Sequence, residues 1–387
     1  MGLLAVSKQR RRSTPAPAPI HWGFWGAGAV AQVVARDLLR VSGAELYAVG
    51  SPRIENAALL ARTFSAKNCY GSLEELVGNP AIDVVYISTP NHSHTDDCLT
   101  CIHAGKAVLC EKPFALNRRQ AELVITAARD ARVFCMEAMW TRFIPAVLEA
   151  KRRVDAGVVG SVRLITGDFA YPTPRDNRHA RLFDLESGGG ALLDRGVYLI
   201  SLAQLLLGTP EAVTGSAIIS PSGVDVQSSW QLRFPGDAVA NLTASFQCRG
   251  RNEVLICGDR GSLCIREPFY RASRLDTRMF SEGGASHPEG QKPALLNSIM
   301  PAMQLLRQFA DPVVRCLRIL NESGFLFAGN GYQFELQEVS NCIREQRVES
   351  DLMPLHDTLE CAGIMDQLRY QWNLIYHHDQ VSEAHEK

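Results

Sequence analysis

The chain has 387 residues, 46% hydrophobic and 21% charged, which excludes wholesale disorder and points to two domains rather than one. Its 40 Lys plus Arg balance 41 Asp plus Glu, so no global charge drives it toward nucleic acid or an anionic membrane. No run of about 18 uncharged apolar residues offers a membrane span, and 11 scattered Cys suit reduced thiols in the cytoplasm better than a secreted disulfide framework.

Residues 1–19 join Lys8, Arg10, Arg11 and Arg12 to a Pro/Ala run. No apolar segment follows the basic one, so they make no secretory signal. Val6 stands where a myristoylation site wants Ser or Thr. They read as a disordered tail. From 20 to about 140, short apolar runs alternate with helical patterns. Strands are expected at 21–25, 45–49, 83–89, 107–110 and 133–136. Helices are expected at 29–40, 56–64, 98–104 and 117–129. The alternation predicts parallel βαβ units. Cys98 and Cys101 have C-x-x-C spacing, but a lone pair inside a helix predicts no metal site.

Past about Trp140 the texture changes. A helix is expected at 147–156, then strands at 161–169, 213–219, 224–234, 239–247, 253–257 and 261–265, with one helix at 191–207 between them. Consecutive strands joined by turn residues predict a mainly antiparallel sheet. Residues 281–292 read as a loop, and 295–320 as an apolar, mildly basic helical stretch broken at Asp311-Pro312. Helices follow at 332–344 and 359–370, and 377–387 form a second tail.

Four motifs carry chemistry. Gly26-Ala27-Gly28-Ala29-Val30-Ala31 is a G-x-G-x-x-A run between a strand and a helix. Gly26 permits a tight turn, Gly28 lets the backbone approach a pyrophosphate, and the helix N-terminus faces it. The second strand then ends at Gly50-Ser51-Pro52-Arg53 with no carboxylate. A ribose 2′-OH would call for Asp or Glu there. Ser51 and Arg53 can instead pair with a 2′-phosphate, which favours NADP over NAD; the alternative is that Arg53 is a solvated loop charge. Glu111-Lys112-Pro113 follows the strand at 107–110, at the edge where open parallel sheets bind ligands. There Lys112 can hold a substrate oxygen, relay a proton or be a surface charge. The loop Thr89-Pro90-Asn91-His92-Ser93-His94 shares that edge. Last, Gly188-Gly189-Gly190 opens a helix with Asp194 and Tyr198 at i and i+4. The glycines would let backbone come close to a ligand. The carboxylate and phenol share one face, either to bind a hydroxyl pair or as a structural pair.

Together GAGAVA (26–31), STPNHSH (88–94), AGKAVLCEKPFALN (104–117) and GGGALLDRGVYL (188–199) resemble the Gfo/Idh/MocA oxidoreductases. Glu137-Ala138-Met139-Trp140-Thr141-Arg142-Phe143 and Tyr198 make the chain most similar to their branch of dimeric dihydrodiol dehydrogenases and NADP-dependent D-xylose dehydrogenases. The resemblance implies an α/β fold. A Rossmann dinucleotide-binding domain at 20–140 is followed by an α/β domain at 141–376 with an open, mainly antiparallel sheet. It implies that Lys112 and Tyr198 are catalytic, with Asp194 beside them, Lys112 favouring the tyrosine phenolate. Gly26–Val30, Thr89, Pro90, Asn91, His94, Glu111, Trp140 and Arg142 would line the cofactor, and Trp140 and Phe143 the substrate. Pairing through the outer face of the second sheet implies a homodimer.

Two departures stand out. Arg195 replaces a usually apolar residue; turned inward it would bind an acidic substrate, turned outward it is a solvated charge. An insertion at about 290–325 would cover the cleft, extend the dimer, rest on a membrane or pack on its own domain. The expected activity is hydride transfer between NADP, or NAD, and a sugar, cyclitol or trans-diol. A nicotinamide-dependent glycosidase and a non-catalytic NADP sensor are the competing readings.

Overall fold

A computed structural model describes residues 18–177, 179–280 and 323–380. The expected tail at 1–19, apart from its last two residues, the loop at 281–292 and the helical insertion, apart from its last few residues from 323 on, lie outside the described residues. So do residues 381–387 of the expected second tail.

The first half is six strands alternating with helices. They are β1 (Ile20–Trp25), α1 (Ala29–Leu38), β2 (Ala44–Gly50), α2 (Ile54–Phe64), β3 (Asn68–Tyr70), α3 (Leu73–Val77), β4 (Val84–Ile87), α4 (His94–His103), β5 (Ala107–Glu111), α5 (Arg118–Ala131) and β6 (Cys135–Ala138). The strand order is β3-β2-β1-β4-β5-β6, with every pairing parallel. This is the doubly wound arrangement, whose order reverses between β1 and β4. β4 and β5 are buried on both faces, which explains why they read as unbroken apolar runs. On α1 the buried positions Ala31, Val34, Ala35 and Leu38 repeat at helical spacing, while Val30 and Leu39 face outward. The short β3 and α3 were not expected. They are too brief to show a period, although Ser72 caps α3 by accepting the Glu75 N–H.

The second half begins with α6 (Pro145–Asp155) and β7 (Val162–Ala170). A π-helical turn (Leu192–Gly196) leads into α7 (Val197–Leu207). The strands β8 (Ala212–Ile219), β9 (Asp225–Phe234), β10 (Ala238–Ser245), β11 (Val254–Gly258), β12 (Gly261–Ile265), β13 (Arg274–Met279) and β14 (Ser323–Gly324) follow. α8 (Tyr332–Arg344), α9 (Leu355–Gln371) and a helical turn α10 (His377–Gln380) close the described chain. The eight-stranded sheet has the order β14-β13-β12-β11-β7-β10-β9-β8. It is antiparallel except for the central β7–β10 pair. Alternate residues of β9 and β10 are buried and exposed, as expected for a sheet with one covered face. Leu355 and Ala362 of α9 join the core around α5, while Cys361, Ile364 and Leu368 join the larger core around α7.

Two expectations are corrected. The regular helix expected over 191–207 opens with a π turn. Residues 377–380, expected in a tail, form α10, where Asp379 accepts bonds from Arg369 (2.7 Å), Asn117 (2.7 Å) and the Tyr376 N–H (2.9 Å). Cys98 and Cys101 lie buried on α4, and burial pushes both thiols well above their usual pKa.

Glu137 on β6 is buried, and one oxygen accepts the Phe114 N–H (3.2 Å). Burial pushes its carboxyl up from 4.5 to about 7. Between those values the folded chain holds a proton that the unfolded chain has released, so stability falls as pH rises through the window. The Glu137 contribution is expected to reach about 1.4 kcal/mol per pH unit. Urea unfolding at pH 5 and pH 8 should show Glu137→Gln losing less stability across that interval than the unaltered chain.

Candidate active site

The turn after β1 has the geometry the glycine run predicts. Gly26 sits at φ +106°, and a Cβ there would meet the Ser88 side chain at 2.6 Å. Gly28 is extended at the N-cap of α1, makes no side-chain cap, and has open space where a Cβ would project. Ala29 and Val30 are exposed beside it and Ala27 is half-buried. The free N–H groups of α1 and the room around Gly28 fit a pyrophosphate. At the end of β2, Ser51 is buried and its hydroxyl accepts the Arg53 N–H (3.2 Å). The Arg53 side chain is exposed at the start of α2.

Lys112, just past β5, reaches across to the second half. Its Nζ donates to the Asp194 carbonyl oxygen (2.8 Å) and to Asp194 Oδ1 (3.1 Å), and lies 4.9 Å from the centroid of the Tyr198 ring. The three expected residues therefore converge. Burial pushes Asp194 up, but Lys112, then Arg181 and Arg195, outweigh it and hold the carboxyl below its ordinary pKa. Tyr198 is buried in the first turn of α7, and its hydroxyl accepts the Trp140 indole N–H (3.1 Å). Burial first, then Tyr332 and Glu111, raise the Tyr198 pKa well above its usual value. The ammonium faces the ring rather than the hydroxyl, so the expected phenolate is not favoured in this state.

Several motif residues turn out to be braces. Arg142 is 1% exposed and spends its guanidinium on Ser201 Oγ (2.7 Å), the Ser201 and Leu352 carbonyls, and Asp357 (2.6 Å). Its expected place at the cofactor is overturned. His94 is fully buried with its ring nitrogens at the carbonyls of Pro113 (2.8 Å) and Thr89 (3.0 Å), and burial lowers its pKa. It ties two strand-end loops together from behind. Asn91 donates to the Gly188 carbonyl (2.9 Å) and Thr89 to Asp97 (2.6 Å), while Pro90 is exposed. The Glu111 carboxyl accepts from Tyr86 (2.6 Å) and from the Lys112 N–H (3.2 Å). Phe143 is buried in the core, not presented to a substrate.

Arg195 settles neither way its alternatives ran. It is turned inward, yet its guanidinium is committed to the carbonyls of Tyr171 (2.6 Å) and Ser245 and to Thr173 Oγ1 (2.5 Å). The solvated-charge reading is overturned, and the donors an acidic substrate would need are largely spent. The glycines at 188–190 sit where packing leaves no room for a side chain. A Cβ on Gly188 would strike Leu116, one on Gly189 would lie 2.6 Å from the Leu182 carbonyl, and one on Gly190 would strike Asp225.

Sequence reasoning missed the aromatic surround. Tyr332 stacks on Trp140 (4.4 Å between centroids) and Tyr270 stacks on Phe169 (4.7 Å). Phe169 also meets the Tyr198 ring edge-on (5.4 Å). These rings come from β7, the segment before β13 and the start of α8, so no local pattern links them.

Residues 20–139 match the model of an oxidoreductase family with an NAD-binding Rossmann fold, and residues 147–264 match the GFO/IDH/MocA C-terminal domain. The chain is 31% identical over 368 residues to a Danio rerio trans-1,2-dihydrobenzene-1,2-diol dehydrogenase, covering 93% of this chain and 99% of that protein. It is 29% identical to the Homo sapiens protein of that name, covering 90% and 96%. Among solved structures, a levoglucosan dehydrogenase in complex with NADH and levoglucosan superposes with TM-score 0.74 at 22% identity, over 91% of this chain and 96% of that one. An NAD binding oxidoreductase from Klebsiella pneumoniae gives TM-score 0.74 at 26% identity, over 92% and 96%. With family models matched over both halves and a relative 31% identical along nearly the whole chain, the chain belongs to the Gfo/Idh/MocA oxidoreductase family.

Proposed function

We propose that this protein is an NADP-dependent dehydrogenase or reductase acting on a ring-shaped trans-diol, sugar or cyclitol, with Tyr198 transferring the proton. The observation that carries the reading is the Lys112 ammonium held between the Asp194 carboxylate and the Tyr198 ring. Gly26–Val30, Ser51 and Arg53 would hold the dinucleotide within a cofactor domain spanning 20–140, and 141–376 would supply the substrate side. The names of the relatives and the stacked rings of Trp140, Phe169, Tyr270 and Tyr332 support a ring substrate, since aromatic faces pack against flat apolar surfaces.

When bound, the nicotinamide supplies the carbon that gives or takes hydride. The protein's own groups then handle the oxygen and its proton. Tyr198 keeps its proton at neutral pH, because burial raises its pKa. It is thus set to donate a hydrogen bond to a substrate oxygen and to give the proton to a developing alkoxide. The Trp140 N–H on the Tyr198 oxygen fixes the direction in which that proton points. For the reverse transfer, the positive charge of Lys112 over the ring offsets part of the cost of a transient phenolate. Asp194 in turn holds Lys112 and offers a second acceptor for a neighbouring hydroxyl.

We further propose a cytoplasmic homodimer. No disulfide joins the described cysteines, and no helix among the described residues is long and apolar enough to cross a membrane. The uncovered face of the eight-stranded sheet presents Thr166, Ser229, Gln231, Asn241, Thr243 and Leu255, a broad surface suited to a second copy.

Nicotinamide absorbance with NADP and NAD, against aldoses, uronates, inositols and trans-diols, tests the function. Tyr198→Phe and Lys112→Met are each expected to lower kcat at least about 100-fold with cofactor Kd little changed; near-normal kcat in both would sink the assignment. Arg53→Ala should raise the KM for NADP about tenfold and leave that for NAD unchanged; parallel changes would remove the 2′-phosphate role. Sedimentation of Leu255→Glu should show a monomer where the unaltered chain is a dimer, and an unaltered mass would place the contact elsewhere.

A further inference from the structure

We propose that Asp225 and Tyr376 are positioning residues, a clamp that sets the pitch of the π turn and so the placement of Asp194 against Lys112 and Tyr198. The inference rests on the functional reading above for its kinetic consequence. Asp225, the first residue of β9, is fully buried. Its Oδ2 accepts the Leu192 N–H (2.9 Å) and the Ser228 hydroxyl (3.0 Å). Tyr376, also fully buried, donates its hydroxyl to the Gly189 carbonyl (2.5 Å). One side chain therefore holds a backbone acceptor, the other a backbone donor, on either side of Gly190-Ala191.

The residue between the two grips is adapted to them. Gly190 has φ +122°, and a Cβ there would strike Asp225 Oδ1 and lie 3.2 Å from the Tyr376 oxygen. The Asp194 N–H bonds back to the Gly190 carbonyl (3.1 Å), so Asp194 hangs from the clamped residue. Lys112 then bonds to both the carbonyl and the carboxylate of Asp194. A shift in the turn is passed to the ammonium beside Tyr198. Burying a carboxyl whose partners are neutral donors costs free energy that an apolar side chain would avoid. The Leu192 N–H lies at the start of the turn, where helical donors have no partner within the helix, so Asp225 supplies the acceptor that anchors this end, and π turns recur at functional sites.

Steady-state kinetics and lysine labelling of the full chain test the clamp. Asp225→Ala is expected to lower kcat about 10- to 100-fold while substrate KM and NADP Kd move less than about threefold. Asp225→Asn, whose amide oxygen can still accept the Leu192 N–H, should recover most of the loss. Tyr376→Phe keeps the ring and should lower kcat about fivefold. Independently of turnover, acetylation followed by mass spectrometry should modify Lys112 several times faster in Asp225→Ala, relative to Lys151 in the same molecules. If Asp225→Ala does not fold, Tyr376→Phe carries both measurements. Unaltered kcat and unaltered Lys112 labelling in the variants that fold overturn the clamp. So does a loss that Asp225→Asn does not rescue, or one in which Kd and KM worsen in step with kcat. If the unmodified chain shows no turnover, the functional reading fails, and the labelling still decides the clamp.

Discussion

The ion pair between Lys112 and Asp194 joins the two halves of this molecule at the point where chemistry is proposed. Lys112 belongs to the edge of the parallel sheet, and Asp194 to the turn that leads into the helix covering the second sheet. Both side chains are mostly shielded from water. Such a pair repays its desolvation only when its geometry is tight and its remaining bonds are met. Here the ammonium has the carboxylate, a backbone carbonyl and an aromatic face. The surrounding braces can be understood as support for that arrangement. His94 fixes the loop carrying Lys112 through the Pro113 carbonyl, Asn91 bonds to Gly188, and Arg369 of α9 reaches the Leu116 carbonyl (3.2 Å).

How much of this was legible in the sequence depended on whether the signal was local. The parallel half was read nearly whole, because a glycine turn and alternating apolar runs each declare themselves within a dozen residues. Short β3 and α3 lacked a period, and β13 followed a proline-interrupted segment. The π turn at 192–196 was invisible. It is imposed from outside by Asp225 and Tyr376, more than thirty and nearly two hundred residues away, while its own residues carry an ordinary helical pattern. Lys112, Asp194 and Tyr198, which the fold brings together, could be picked out as candidates because each sits in a motif at a strand end or helix start.

The failures among site residues share one cause. A motif places a residue near a cleft, but side-chain direction is decided by tertiary partners. Arg142 and Phe143 follow Trp140 immediately, yet Arg142 is drawn to Asp357 and Ser201 and Phe143 into the core. Tyr270 and Tyr332 reach the site from segments with no motif at all. The triple glycine shows the same limit, since its smallness answers Leu116, the Leu182 carbonyl and Asp225.

The buried acids give the site its charge pattern. Burial raises the pKa of Glu111, Glu137, Asp225 and Glu335, the last well above its usual value. Glu335 lies fully buried with neither carboxyl oxygen hydrogen-bonded among the described residues, a placement that suits its neutral form. Asp194 is shifted the opposite way, because Lys112, Arg181 and Arg195 surround it. The interior thus sets an ionised carboxylate of depressed pKa next to a phenol of raised pKa. Pushing two neighbouring groups in opposite directions separates their roles, one to hold charge and one to move a proton. Under the proposed function, this separation makes Asp194 the anchor for the ammonium and for a substrate hydroxyl, and gives the mobile proton to Tyr198.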